Sequence, residues 1–133
     1  MSEGQVQLYF QRIDKLNAGQ HPLFGKMNAN QMICHCTDQI RLAMGTKKST
    51  EYGQVDPNQI ILLSKSGKVV PTPKGLGQVE GDGTQPTNLE DDKEILKQHI
   101  LTFSKLDNNF NCAPHPYFGE IDKKRWKELI VSP

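Results

Sequence analysis

The chain has 133 residues, 35% hydrophobic and 23% charged, and its 16 Lys and Arg against 15 Asp and Glu leave a formal net charge of +1. That length fits one domain, residues 1–133, and the charge balance gives neither the basic footprint of a nucleic-acid binder nor an acidic tail. No apolar run approaches the ~18 residues of a membrane span, and "MSEGQVQLYF" does not read as a secretion signal, so we expect a soluble, cytoplasmic protein with no membrane or nucleic-acid partner.

Along the chain, Val6, Tyr9, Phe10, Ile13 and Leu16 recur at helical spacing and predict a first helix, with Gly19 beyond its end. A second helix is expected from Asn28 to Met44, with Asn28 as N-cap, Gln31 reaching back as in a capping box, and Gly45 just past the end. Met27 and Met32 would staple its entrance, and Met32, Cys36, Ile40 and Ala43 or Met44 would form its apolar stripe. "DPNQIILLSKSG" offers Asp56 as cap, Pro57 at the first helical position and Gly67 as a stop, which favours a short helix over a hairpin of "IILL" and "VV". From Val70 to Pro86 the Pro, Gly, Thr and Asp content indicates a long loop, and its "GLG" and "GDG" lack the strand and helix of a phosphate-binding motif. "TNLE" then opens another helix, with Thr87 as cap and Glu90 at the third position, running through Leu89, Leu96, Ile100, Phe103 and Leu106. The last helix, Asp122 to about Val131, would face Trp126, Leu129 and Ile130 inward. Four periodic helices predict an all-α antiparallel bundle whose second and third main helices are joined by the long loop and the short extra helix.

One phrase occurs twice: "HPLFGKMN" at His21 to Asn28 and "HPYFGEID" at His115 to Asp122. Both copies precede a predicted helix and end on a residue that caps it, Asn28 or Asp122, the latter with Ile121 and Trp126 as the staple pair. Gly25 and Gly119 let the chain turn, and Pro22 and Pro116 stiffen the approach. The role expected of His21 and His115 is therefore local, a ring-to-backbone hydrogen bond that fixes the way into the helix.

The remaining histidines, His35 and His99, lie on different predicted helices beside apolar stripes, and facing helices of a bundle can join such imidazoles in a metal site. The competing reading gives each a place at the core edge with one hydrogen-bond partner. Asp38, three residues after His35, is placed to orient its ring. Cys34 and Cys36 flank His35, but residues two apart on a helix point about 200° apart, so they share neither a metal nor a disulfide. Cys36 reads as a small buried hydrophobe, and three cysteines (Cys112 is the third) without a secretion signal read as reduced thiols. No catalytic residue can be assigned, since neither a nucleophile elbow nor H-E-x-x-H occurs.

"HPLFGKMNANQMICHCTDQIRLAMG", followed after the loop by "HPYFGEIDKKRW", resembles the DinB/YfiT-like superfamily, and within it a small uncharacterised family; the similarity runs from about Ile13 to Trp126. The resemblance implies a DinB-like four-helix bundle, often a homodimer, and a divalent metal such as zinc or nickel held by three histidines. His35 matches the second-helix ligand. Relatives carry the other two past the tryptophan, the first about seven residues on, where this chain has Pro133. The fourth helix is accordingly expected to be short, at about ten residues against about 15 to 18 for the others. The activity that the resemblance implies is that of a DinB-like metal-dependent enzyme, thiol-transferase-like or hydrolytic, acting on an unknown small molecule. Its histidine site is incomplete, with His35 the first ligand and His99 a distant second. The alternative is a non-catalytic module that binds a partner or itself through the apolar face that a short last helix leaves open.

Overall fold

The computed structural model describes residues 2–17, 27–49, 56–66 and 73–131. Its described elements are five helices: α1 (Glu3–Asp14), α2 (Ala29–Met44), α3 (Pro57–Lys65), α4 (Leu89–Lys105) and α5 (Lys123–Val131). The fold is all-α, and the β pairing among the described residues is one isolated bridge between His115 and Gly119. No helix among them is long and apolar enough to cross a membrane.

Local chemistry starts each helix. The four N–H groups of a first turn have no partner within the helix, and a side-chain oxygen just before it supplies one. Asn28 and Gln31 do this reciprocally for α2, the Gln31 N–H donating to Asn28 Oδ1 and the Asn28 N–H to Gln31 Oε1, both at 2.9 Å. Ser2 and Gln5 repeat the device at α1. Asp56 caps α3 through the Asn58 N–H at 2.9 Å, with Pro57 at the first helical position, so the helical reading of "DPNQIILL" holds. Asp122 caps α5 through the Arg125 N–H at 2.8 Å. At α4 the expected cap moves by one residue. Asn88, not Thr87, accepts from the N–H groups of Glu90 and Asp91, while Thr87 donates its N–H and hydroxyl to Asp92. Gly45 ends α2 in the left-handed region, φ 81°, where a Cβ would be strained.

α2 lies against α4 and α5, and α4 also lies against α1; α3 packs against none of the other described helices. The core joins Val6 and Ile13 of α1 to Ile33, Ile40, Leu42 and Ala43 of α2, Leu96, Ile100 and Phe103 of α4, and Trp126 and Ile130 of α5. Trp126 and Phe103 are wholly buried, and each such ring adds roughly 2–3 kcal/mol over leaving it exposed. The predicted α2 stripe holds at Ile40 and Ala43, which are buried, but Met32, Cys36 and Met44 are only partly so, and Ile33 and Leu42 carry more of the core. The cause is that α2 is covered on most of its circumference, by α4, by α5 and by the 73–88 loop. Leu129 likewise sits at the core edge. α1 has 12 residues, fewer than expected, and α5 has nine. Gly19, Gly67 and the "VV" pair lie outside the described residues, as do His21, Pro22 and Gly25.

The segment after α4 ties three elements together. The Ala113 N–H donates to Ala43 O at the end of α2, and Ala113 O accepts from Trp126 Nε1 at 3.0 Å. In the second copy of the repeated phrase, His115 and Gly119 exchange backbone hydrogen bonds at 2.8 and 2.9 Å, with Gly119 at φ 70°.

Candidate functional site around His35

His35 is buried on α2, and its Nδ1 lies 2.9 Å from the carbonyl oxygen of Leu76 in the 73–88 loop. A carbonyl can only accept, so Nδ1 carries the proton and the neutral ring keeps its lone pair on Nε2. Burial lowers the His35 pKa, opposed by the Leu76 carbonyl and by Asp38, Gln78 and Glu80, which favour the charged ring. The sequence reading that Asp38 orients this ring is corrected: the ring is held by Leu76, 41 residues away, and Asp38 serves the loop instead.

Asp38 is completely buried. Its Oδ2 accepts from Gln78 Nε2 and from the Thr84 N–H, each at 2.8 Å, and its Oδ1 accepts from the Thr84 hydroxyl at 2.7 Å. Arg41 at 3.2 Å and Lys47 at 3.1 Å complete a shell of donors around the carboxylate. A buried carboxylate is tolerated only when paired and hydrogen-bonded, and here every donor comes from α2, the turn after it, or the loop. Gln78, itself 2% exposed, has its amide nitrogen committed to Asp38, 2.8 Å from Oδ2.

The other histidines are placed elsewhere. His99 is half-buried on α4 and its Nδ1 lies 2.8 Å from Ile95 O of its own helix. His115 is buried, and its Nδ1 accepts from the N–H groups of Tyr117 at 3.0 Å and Phe118 at 3.2 Å. Its ring lies 4.9 Å from those of Phe118 and Trp126, and burial, with Arg125 nearby, lowers its pKa to about 4. This is the local ring-to-backbone role expected of it; the same expectation for His21 lies outside the described residues.

The thiols are poor nucleophiles. Burial pushes Cys34 up to about 12, helped by the neighbouring Asp92 carboxylate, and pushes Cys36 up to about 12; burial also raises Cys112. All three are free. A zinc or nickel site needs about three protein ligands. Among the described residues no three His, Cys, Asp or Glu side chains converge, so they do not fit such a site. Sequence reasoning missed Gln78, Thr84 and Lys47 as partners of Asp38, and no local signal marks them, since Gln78 and Thr84 lie 40 and 46 residues away. A cleft of about 510 Å³ lies between α1 and α4, with Val6, Gln7, Leu101 and Lys105 in its walls and no histidine. Compared with protein-family models, curated proteins and solved structures, the chain finds no match.

Proposed function

We propose that the chain is a DinB-like helical domain that works as a non-catalytic binding module, taking a second copy of itself or another helical protein on its α1–α4 face. The observation that carries this reading is the use to which α2 puts its buried polar groups. His35 and Asp38 both face the 73–88 loop and hold it, so among the described residues their polar atoms serve the fold. The α1–α4 cleft, with Leu101 at 37% exposure on its wall, supplies the binding surface. Two measurements on the purified chain test this. Elemental analysis is expected to find well under one zinc or nickel per chain. Sedimentation over a concentration series is expected to show association that Leu101→Glu weakens. One metal per chain, lost in His35→Ala, would overturn the reading, as would a strictly monomeric protein that also binds no helical partner.

A second reading, a DinB-like metal-dependent enzyme with thiol-transferase-like or hydrolytic chemistry, is favoured by one observation. A histidine whose Nδ1–H is held by a backbone carbonyl presents Nε2 in the way metal ligands do. His35, and after it His99, would then be ligands, completed by a second subunit.

A further inference from the structure

The 73–88 loop contains a compact unit whose hydrogen bonds, among the described residues, run mainly within itself. Gly77 O accepts from the N–H groups of Gly81, Asp82 and Gly83 at 2.9, 3.1 and 3.1 Å. The Gly77 N–H donates to Asp82 Oδ1 at 2.9 Å, and Gln85 Nε2 closes the unit onto Gln78 O at 3.2 Å and Gly83 O at 3.1 Å. The turn is tight: a Cβ on Gly77 would come within 2.5 Å of Glu80 Oε2, and one on Gly83 within 2.8 Å of Gln78 Cδ.

A different set of bonds docks this unit onto α2. Three go to the Asp38 carboxylate, from Gln78 Nε2, the Thr84 N–H and the Thr84 hydroxyl. A longer one runs from Arg41 to the Thr84 hydroxyl at 3.4 Å, and Leu76 adds the His35 bond and one apolar side chain in the core. Internal cohesion and docking are thus chemically separate, and docking centres on one carboxylate. Such a division is what an element needs in order to dock and release in one piece.

We propose that residues 76–85 form a preformed plug, latched over His35 by Asp38, that opens as a unit and uncovers the imidazole. The charged groups facing this latch are Asp38, Arg41 and Lys47 on the α2 side and Glu80 and Asp82 in the plug. The proposal starts from the same His35 and Asp38 contacts that the binding-module reading uses, but it concerns access to His35 and is tested there, not on the α1–α4 face.

Amide hydrogen exchange resolved by NMR, in the wild-type chain and in Asp38→Asn, tests it. Hydrogen bonds to a charged acceptor are worth enough that the Thr84 amide should exchange about tenfold faster or more in the variant. The Gly81 and Gly83 amides, bonded inside the plug, should keep their wild-type rates. Acylation of His35 by diethyl pyrocarbonate, mapped by mass spectrometry with His99 as internal reference, should accelerate alongside. Gly83→Ala provides a second route to the same release, because its new Cβ displaces the Gln78 amide from Asp38 while leaving the carboxylate in place; it serves if Asp38→Asn does not fold. If Thr84 accelerates together with Gly81 and Gly83, the plug frays and does not move as a unit. If neither Thr84 exchange nor His35 acylation changes in a folded variant, Asp38 is no latch; either result overturns the proposal.

Discussion

His115 shows how much one side chain can do within a few residues. Its Nδ1 accepts from two successive backbone N–H groups, and its ring fills space against Trp126 and Phe118. Replacing it with alanine removes the acceptor and leaves a void beside Trp126. We expect His115→Ala to cost about 3 kcal/mol in chemical denaturation, and a loss below about 1 kcal/mol would show that the ring is dispensable. This role was legible in the sequence because it is local: His-Pro, a bulky residue and Phe-Gly are consecutive, and the turn they make needs few distant partners. Asp38 was not legible for the opposite reason. An aspartate on a helix looks like any solvated carboxylate until the loop that carries Gln78 and Thr84 folds back over it.

The helices were read correctly where the signal was short-range. The Asn28–Gln31 pair and the Asp56-Pro57 start act within a single turn, so their geometry follows from the order of side chains. The same pattern misled at α4. "TNLE" contains two residues able to cap, and the capping-box spacing favours Thr87, whereas the buried Asp92 draws both the N–H and the hydroxyl of Thr87 to itself and leaves Asn88 to cap. Asn88→Ala should therefore destabilise the protein by about 1 kcal/mol. Its unfolding should be compared with that of Asn88→Asp, which keeps the accepting oxygen and should stay near wild type. Equal losses in both would return the cap to Thr87. The α2 stripe held only at Ile40 and Ala43 for a further reason: periodicity reports which face is apolar, but α2 is covered on several sides, and only tertiary contacts say which side chains end up deepest.

For the whole molecule, two buried histidines make stability depend on pH in a defined direction. Burial lowers the pKa of both His35 and His115, the latter to about 4, so the folded chain favours neutral rings while the unfolded chain takes up protons near pH 6.5. Between those values the unfolded state binds more protons. The stabilisation is complete above about pH 6.5 and is lost as the pH falls toward about 4. Thermal unfolding followed by circular dichroism should thus give a Tm that drops between about pH 7 and about pH 5, before most ordinary carboxylates titrate, and a flat profile over that interval would contradict it. The all-α class was visible in the sequence at this scale, because helix periodicity and caps sum over long segments. How the loop seats against α2 was not, since it rests on pairings between distant residues.

Among the described residues two lysines are almost fully buried, and both tie a helix end to a neighbouring helix. Lys93 Nζ reaches Leu16 O at 2.7 Å beyond the end of α1, and Lys123 Nζ reaches Leu106 O at the end of α4, with the Phe103 ring beneath it at 5.5 Å. Both acceptors are main-chain carbonyls, which every amino acid carries. Exchanging the side chain at position 16 or 106 leaves the acceptor in place, whereas shortening either lysine deletes the donor. The dependence of these two ties is therefore one-sided: they need the two ammonium groups, while the leucines at the receiving ends are held to their identity by packing against the core and not by the hydrogen bond.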